Sequence, residues 1–203
     1  MPARQVKPMA AALALAIGAL SLTSCAARQQ VAQQPPPPPP VQQPLPPAPK
    51  PTDPQIVDIV YTAGQIEIDT ARLALRNWHN HDVDNFANEM VRDHTFLDRR
   101  LLALTKKLHI IPEDNDISRS LKQQADDTKA HLAGLRGGWL KRKEFDRAYA
   151  ENAVSFHQKV NSLLQDTLIP NAQNPELKRL LQRAQRIYFL HQGDAQRLVT
   201  NLH

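Results

Sequence analysis

The stretch VDNFANEMVRDHTFLDRRLLALTKKL, residues 83–108, decides the fold. Val83, Ala87, Met90, His94, Leu97, Leu101, Leu104 and Leu108 recur at alternating steps of three and four, with Phe86 beside them. That spacing puts one continuous stripe on a single face of a helix of about seven turns. A stripe this narrow and this long is buried against other helices. One member is out of character, because His94 is polar.

The same periodicity extends outward on both sides. Upstream, Asp53-Pro54 gives an N-cap residue followed by proline at the first helical position. Ile56, Ile59, Val60, Ala63, Ile66, Thr70, Leu73, Ala74 and Trp78 then predict a first helix from Pro54 to about His79. Asn80-His81-Asp82 reads as the turn into the second helix. Downstream, Ile111-Pro112-Glu113-Asp114-Asn115-Asp116 ends it. A more polar helical stretch follows from Ile117 to Leu135 and is broken by Gly137-Gly138. Another runs from about Arg142 to Leu168, carrying Phe145, Tyr149, Ala153, Phe156, Val160, Leu163 and Leu164, with Pro170 as its stop. Asn174-Pro175-Glu176 repeats the signature of cap, proline and first-turn acid. The last helix carries Leu177, Leu180, Leu181, Ala184, Ile187, Tyr188, His191, Ala195, Leu198 and Leu202. No segment alternates with period two long enough to be a strand. The expectation is an all-α, antiparallel four-helix bundle over residues 53–203, with an extra broken helical stretch before the third long helix.

The first 52 of the 203 residues are of another kind. Arg4 and Lys7 precede the apolar run Met9–Leu22, which is too short to span a bilayer and has the length and flanks of a signal peptide. Leu22-Thr23-Ser24-Cys25 resembles the bacterial lipobox. By that resemblance residues 1–24 are a lipoprotein signal peptide, and Cys25, the sole cysteine, becomes the lipidated N-terminus. Ala26 after it, rather than Asp, points to sorting toward the outer membrane. Residues 25–52 form a spacer in which PPPPPP at 35–40 and PLPPAPKP after it read as polyproline II. Twenty such residues reach roughly 60 Å. The predicted location is the cell envelope, with a lipid anchor in the outer membrane and the body in the periplasm.

Charge excludes one class of partner. The formal net charge is +5, from 25 Lys and Arg against 20 Asp and Glu. Residues 1–52 hold four of the bases and none of the acids, leaving 21 against 20 in the body. Such a mixed, near-neutral body carries no nucleic-acid footprint. One cysteine also excludes intramolecular disulfides and multi-cysteine metal sites.

Polar residues on the apolar seams are the candidate site. Glu67 lies four after Ala63 and seven after Val60, so it joins the seam of the first helix. Glu67 and His94 are each 13.5 residues from the centre of the Asn80–His81 turn, so an antiparallel hairpin sets them level. His157 follows Ala153 by four, and His191 follows Ala184 by seven. Their depths match less well: 11 residues from Leu168 back to His157, and 16 from Pro175 on to His191, a difference of about 7.5 Å along the axes. A carboxylate and imidazoles from four helices can hold a transition metal. They can equally be a hydrogen-bonded network that fixes helix register. The Glu-x-x-His signature of two-metal bundles is absent, since Val91 and Val154 stand three before His94 and His157. His79 and His81 fall in the turn. Glu113, Asp114 and Asp116 lack the spacing of an EF-hand. Lys141-Arg142-Lys143 reads as a solvated helix start, and no catalytic nucleophile arrangement can be read.

Gly64-Gln65-Ile66-Glu67 with Leu73-Ala74, Val83-x-x-Phe86-Ala87-x-x-Met90-Val91-x-Asp93-His94, Phe145-Asp146-x-x-Tyr149, His157-Gln158 and His191 together resemble a bacterial family of exported proteins, domain of unknown function 4142. The resemblance implies a ferritin-like four-helix bundle and export, and no established activity. The function expected is that of a non-catalytic binding or envelope module. Its partners are the membrane, through the anchor, and an envelope protein or cell-wall component. The alternative is a metal-binding or redox protein using Glu67, His94, His157 and His191.

Overall fold

The structure, a computed structural model, describes residues 50–77, 80–135 and 137–202. The signal peptide, Cys25 and the proline run therefore lie outside the described residues, as do Trp78 and His79. The described body is helical, in the order α1 (Asp53–Leu75), α2 (His81–Leu108), α3 (Asp116–Gly134), α4 (Trp139–Leu163), a π-helical turn (Leu164–Leu168), α5 (Ile169–Asn171) and α6 (Pro175–Asn201). Among the described residues no helix is long and apolar enough to cross a membrane.

The helix starts are set by side chains. Thr52, rather than Asp53, caps α1, and its hydroxyl and Gln55 satisfy each other's backbone N–H groups. The Asp53 carboxylate is used elsewhere: it accepts from the N–H groups of Gln173 and Asn174, at 2.8 and 2.9 Å, and so ties the turn before α6 to the start of α1. Asn80, Asn115 and Asn174 cap α2, α3 and α6 through their side-chain oxygens. His109 ends α2 in the left-handed region at φ 53°, with Ile110 N–H closing back on Thr105.

Two apolar clusters fill the two ends of the bundle. One gathers Ile56, Ile59, Leu97, Leu101, Leu121, Val160, Leu164, Leu177 and Leu181. The other gathers Ala71, Ala74, Val83, Met90, Leu132, Phe145, Tyr149 and Leu198. Following the chain from cluster to cluster gives the directions: α1 up, α2 down, α3 up, α4 down, α6 up. The second hairpin, α4 with α6, thus begins at the opposite end from the first. The broken stretch expected before the third long helix is α3, a helical crossover that returns the chain to that end. It lies chiefly along α1.

Pro170 does not end the fourth stretch where expected. The helix widens into the π turn at Leu164–Leu168 and continues to Asn171. Pro170 stands directly after the π turn, at the second position of α5. The hairpin therefore turns at Ala172–Asn174, later than Leu168.

Candidate metal centre

Each long helix passes from one apolar cluster to the other at a polar residue. Glu67 lies between Ala63 and Ala71, His94 between Met90 and Leu97, His157 between Ala153 and Val160, and His191 between Tyr188 and Ala195. The four are buried in one middle layer. The layer comes from α1, α2, α4 and α6, so each residue needs its own helix in register to reach it.

The three imidazoles converge. Ring centroids are 5.2 Å apart for His94 and His191, 5.5 Å for His157 and His191, and 5.8 Å for His94 and His157. One nitrogen from each can be chosen so that all three lie within 4.8 Å of one another. The depth mismatch expected between His157 and His191 is not present. It came from counting back from Leu168, whereas the π turn and α5 carry the hairpin on to Asn174.

Hydrogen bonds fix which nitrogens are bare. His157 Nδ1 lies 2.8 Å from the Ala153 carbonyl, which can only accept, so Nδ1 carries the ring proton and Nε2 the lone pair. His191 Nε2 lies 3.1 Å from Asp93 Oδ2, which leaves His191 Nδ1 buried and unpartnered. Both nitrogens of His94 are buried with no hydrogen-bond partner. Outer groups that hold a ring by one nitrogen and leave the other bare are the usual support of metal-bound histidine.

Electrostatics keep the rings neutral. Burial pushes His94 well below the ordinary imidazole range, and the neighbouring His157 and His191 push it further. Burial takes His157 down to about 3, although the Ala153 hydrogen bond favours its charged form. His191 is also lowered by burial, against the pull of Asp93. At neutral pH all three offer lone pairs rather than protons, as metal ligands must.

Glu67 plays a different part from the one expected. It is level with His94 but makes no hydrogen bond to it: Oε1 lies 3.3 Å from His157 Nδ1, and that N–H serves Ala153. The hydrogen bond that crosses the α1–α2 hairpin runs instead from Gln65 Nε2 to Asp98 Oδ2, at 2.6 Å. Gly64 makes room for it, since a Cβ there would collide with the Asp98 carboxylate. Burial raises the Glu67 carboxyl to about 8, so it is largely protonated at neutral pH. Tyr149 and Tyr188 also bring hydroxyls without partners into the core, and the Tyr188 ring stands 4.8 Å from His94.

The residues present fit a transition metal. Three neutral imidazoles from three helices are a donor set for copper, zinc or nickel. Nitrogens on one metal at about 2.0–2.1 Å lie roughly 3.3–3.6 Å apart, so rings whose nitrogens come within 4.8 Å would have to draw together to share an ion. Sequence reasoning missed Asp93, although it stands beside His94 in the recognised motif. Its position off the apolar seam hid it, and only the fold shows that it faces α6 rather than solvent alone. The other acids are engaged: Asp114 pairs with Arg119 and Lys122 and accepts from Ser118, and Glu113 accepts from Gln55. His81 starts α2 at the surface, and Lys143 lies over the Trp139 ring at 4.6 Å, just inside the start of α4.

Residues 38–198 match the family described as domain of unknown function (DUF4142). The chain belongs to the DUF4142 family. Among solved structures it is similar to "CopM in the Cu(II)-bound form", with a TM-score of 0.56, 16% sequence identity, and coverage of 76% of this chain and 99% of that one. At that identity the likeness is one of fold. No curated protein matches the chain.

Proposed function

We propose that this DUF4142 protein is a non-catalytic metal-binding module of the cell envelope, holding copper between His94, His157 and His191. The observation that carries the reading is the trio of bare imidazole nitrogens in the bundle's middle layer. A register-fixing network would use its polar groups on one another, yet His94 offers two nitrogens and bonds to nothing. Copper heads the divalent series for a nitrogen site. The solved helical protein that this fold resembles has a copper-bound form. When bound, copper would supply the charge that these neutral rings await, and Glu67 would stand beside it as an ionisable neighbour. Cys25 lipidation and the proline-rich spacer fit the same role, tethering the module to the outer membrane and letting it stand off in the periplasm.

The test is copper binding by the full chain, purified without chelator. One copper per chain is expected, with nitrogen hyperfine structure in its electron paramagnetic resonance spectrum. His94→Leu should abolish that signal. Equal binding by wild type and His94→Leu would refute the site. Palmitate labelling that persists in Cys25→Ala would separately refute the anchor.

A further inference from the structure

Because the copper site is enclosed, a bound ion must have a way in, and His191 is the one ligand whose ring reaches the rim. Its Nε2 meets Asp93 at 3.1 Å, while Nδ1 is buried. Glu89, one helical turn before Asp93 on α2, completes a second group of metal-capable atoms with Asp93 and His191, again within 4.8 Å. The two groups share His191. Side-chain exposure falls from 36% at Glu89 to 28% at Asp93 and 3% at His191, and His94 behind it is 0% exposed. The donors thus form a file from solvent to core.

A cation already occupies the outer group. Arg92 Nε lies 2.7 Å from Asp93 Oδ1, and Arg92 Nη2 lies 3.3 Å from both Asp93 Oδ2 and Glu89 Oε1. Arg92 is itself 66% exposed, so it can swing away without unpacking the core. Two carboxylates held by one exposed guanidinium are a site at which a divalent cation can displace it.

Resting on the copper reading, we propose that the metal loads through Glu89 and Asp93 and passes to the buried histidines along His191, with Arg92 holding the outer carboxylates until the ion displaces it. No proton moves in the transfer. The carboxylates capture the ion first, His191 keeps its Nε2 proton toward Asp93, and Nδ1 receives the ion inside. Asp93 is thus both a capture group and the residue that positions His191. Glu89 captures only, because it accepts from Arg92 and not from the ring.

Stopped-flow loading of the full chain with a Cu(II)–glycine complex tests this, alongside equilibrium binding. Glu89→Gln should slow loading about tenfold, within the range of electrostatic steering, and leave stoichiometry and equilibrium affinity at the inner site unchanged. Arg92→Gln should speed loading. Asp93→Asn should lower both rate and affinity. His94→Leu should lose the tight site but keep weak Cu(II) binding that Glu89→Gln removes. Unchanged loading rates in Glu89→Gln and Arg92→Gln, with normal copper affinity, would overturn the loading route and leave the copper site standing. Absence of tight binding in the wild type itself would overturn both. Glu89 and Arg92 are surface positions, and circular dichroism should show both variants folded.

Discussion

The ends of the bundle and its middle obey opposite rules. At the ends, Leu101 and Leu177 in one cluster and Met90 and Leu132 in the other are almost wholly buried in apolar company. In the middle, His94, His157, His191 and Glu67 are just as buried, yet several of their polar atoms bond to nothing in the protein. A buried, unsatisfied polar group costs about 1–3 kcal/mol. The ends must stabilise the fold for the middle to keep such groups. Stability and the proposed metal site are therefore separated along the helix axis, and mutations in the two regions should behave differently.

The largest effect belongs to the ends. Leu101→Ala or Leu181→Ala removes a side chain that is about 1% exposed or less and leaves a cavity, costing about 2–5 kcal/mol of unfolding free energy. Urea denaturation should show the loss equally with and without copper. His94→Leu replaces an unpartnered imidazole by an apolar side chain, so the metal-free protein should lose far less, or gain. A loss of 3 kcal/mol or more in metal-free His94→Leu would mean that the ring is satisfied after all, and the contrast between ends and middle would fail.

Copper sharpens the same comparison. At a free concentration one hundred times Kd, a ligand that binds only the folded state adds about 2.7 kcal/mol. Thermal melts should rise by that equivalent in wild type and in Leu101→Ala, and not at all in His94→Leu. A chelator should reverse the gain. An equal rise in His94→Leu would place the stabilising ion elsewhere.

Acid comes next, and in the core it acts through the middle layer. The folded core holds His157 at about 3 against an ordinary 6.5, with His94 and His191 displaced the same way. As pH falls below 6.5, the unfolded chain takes up protons that the folded core refuses. Stability is then lost as pH drops toward 3, with a slope approaching 1.4 kcal/mol per pH unit for each such group. Replacing His157 by Leu should flatten the acid limb of a stability–pH curve. An unchanged limb would show that His157 titrates alike in both states.

The sequence carried most of this architecture and part of the site. Periodicity placed α1, α2, α3 and α6 because each bears a stripe that only a helix can bury, and the cap at Asn174 marked where α6 begins. The three histidines were legible because a polar residue at a heptad position is conspicuous. Their convergence was not. It depends on the π turn at Leu164–Leu168, and no residue there advertises a wider turn; Pro170 read as a stop for the same reason. Counting from the turn rightly set Glu67 and His94 level, but it gives depth along the axis and not rotation about it, so it could not show that Glu67 approaches His157. Asp93 and Gln65 were missed because side chains off the seam find their partners only once the helices are packed.

The smallest effect should come from Glu67→Gln at low pH, and its growth as pH rises separates charge from packing. Burial raises its carboxyl from 4.5 to about 8. A group whose folded value is raised contributes stability that is present below the unfolded value and is lost as pH rises through the folded one. Asp98, raised by burial to about 6 despite its bond from Gln65, acts in the same direction. The metal-free protein should therefore weaken from about pH 4.5 to 8 by this route, against the histidines, which strengthen it up to 6.5. Glu67→Gln keeps the shape of the protonated acid and removes the titration. At pH 4, where Glu67 is largely neutral in the folded and the unfolded chain alike, the change should lie within about 0.5 kcal/mol, as for a harmless substitution. Above pH 8 the variant should be more stable than wild type, because it has no charge to bury. Unfolding curves at these two pH values decide the matter: a variant that is destabilised alike at both would show that Glu67 is ionised and paired in the folded core.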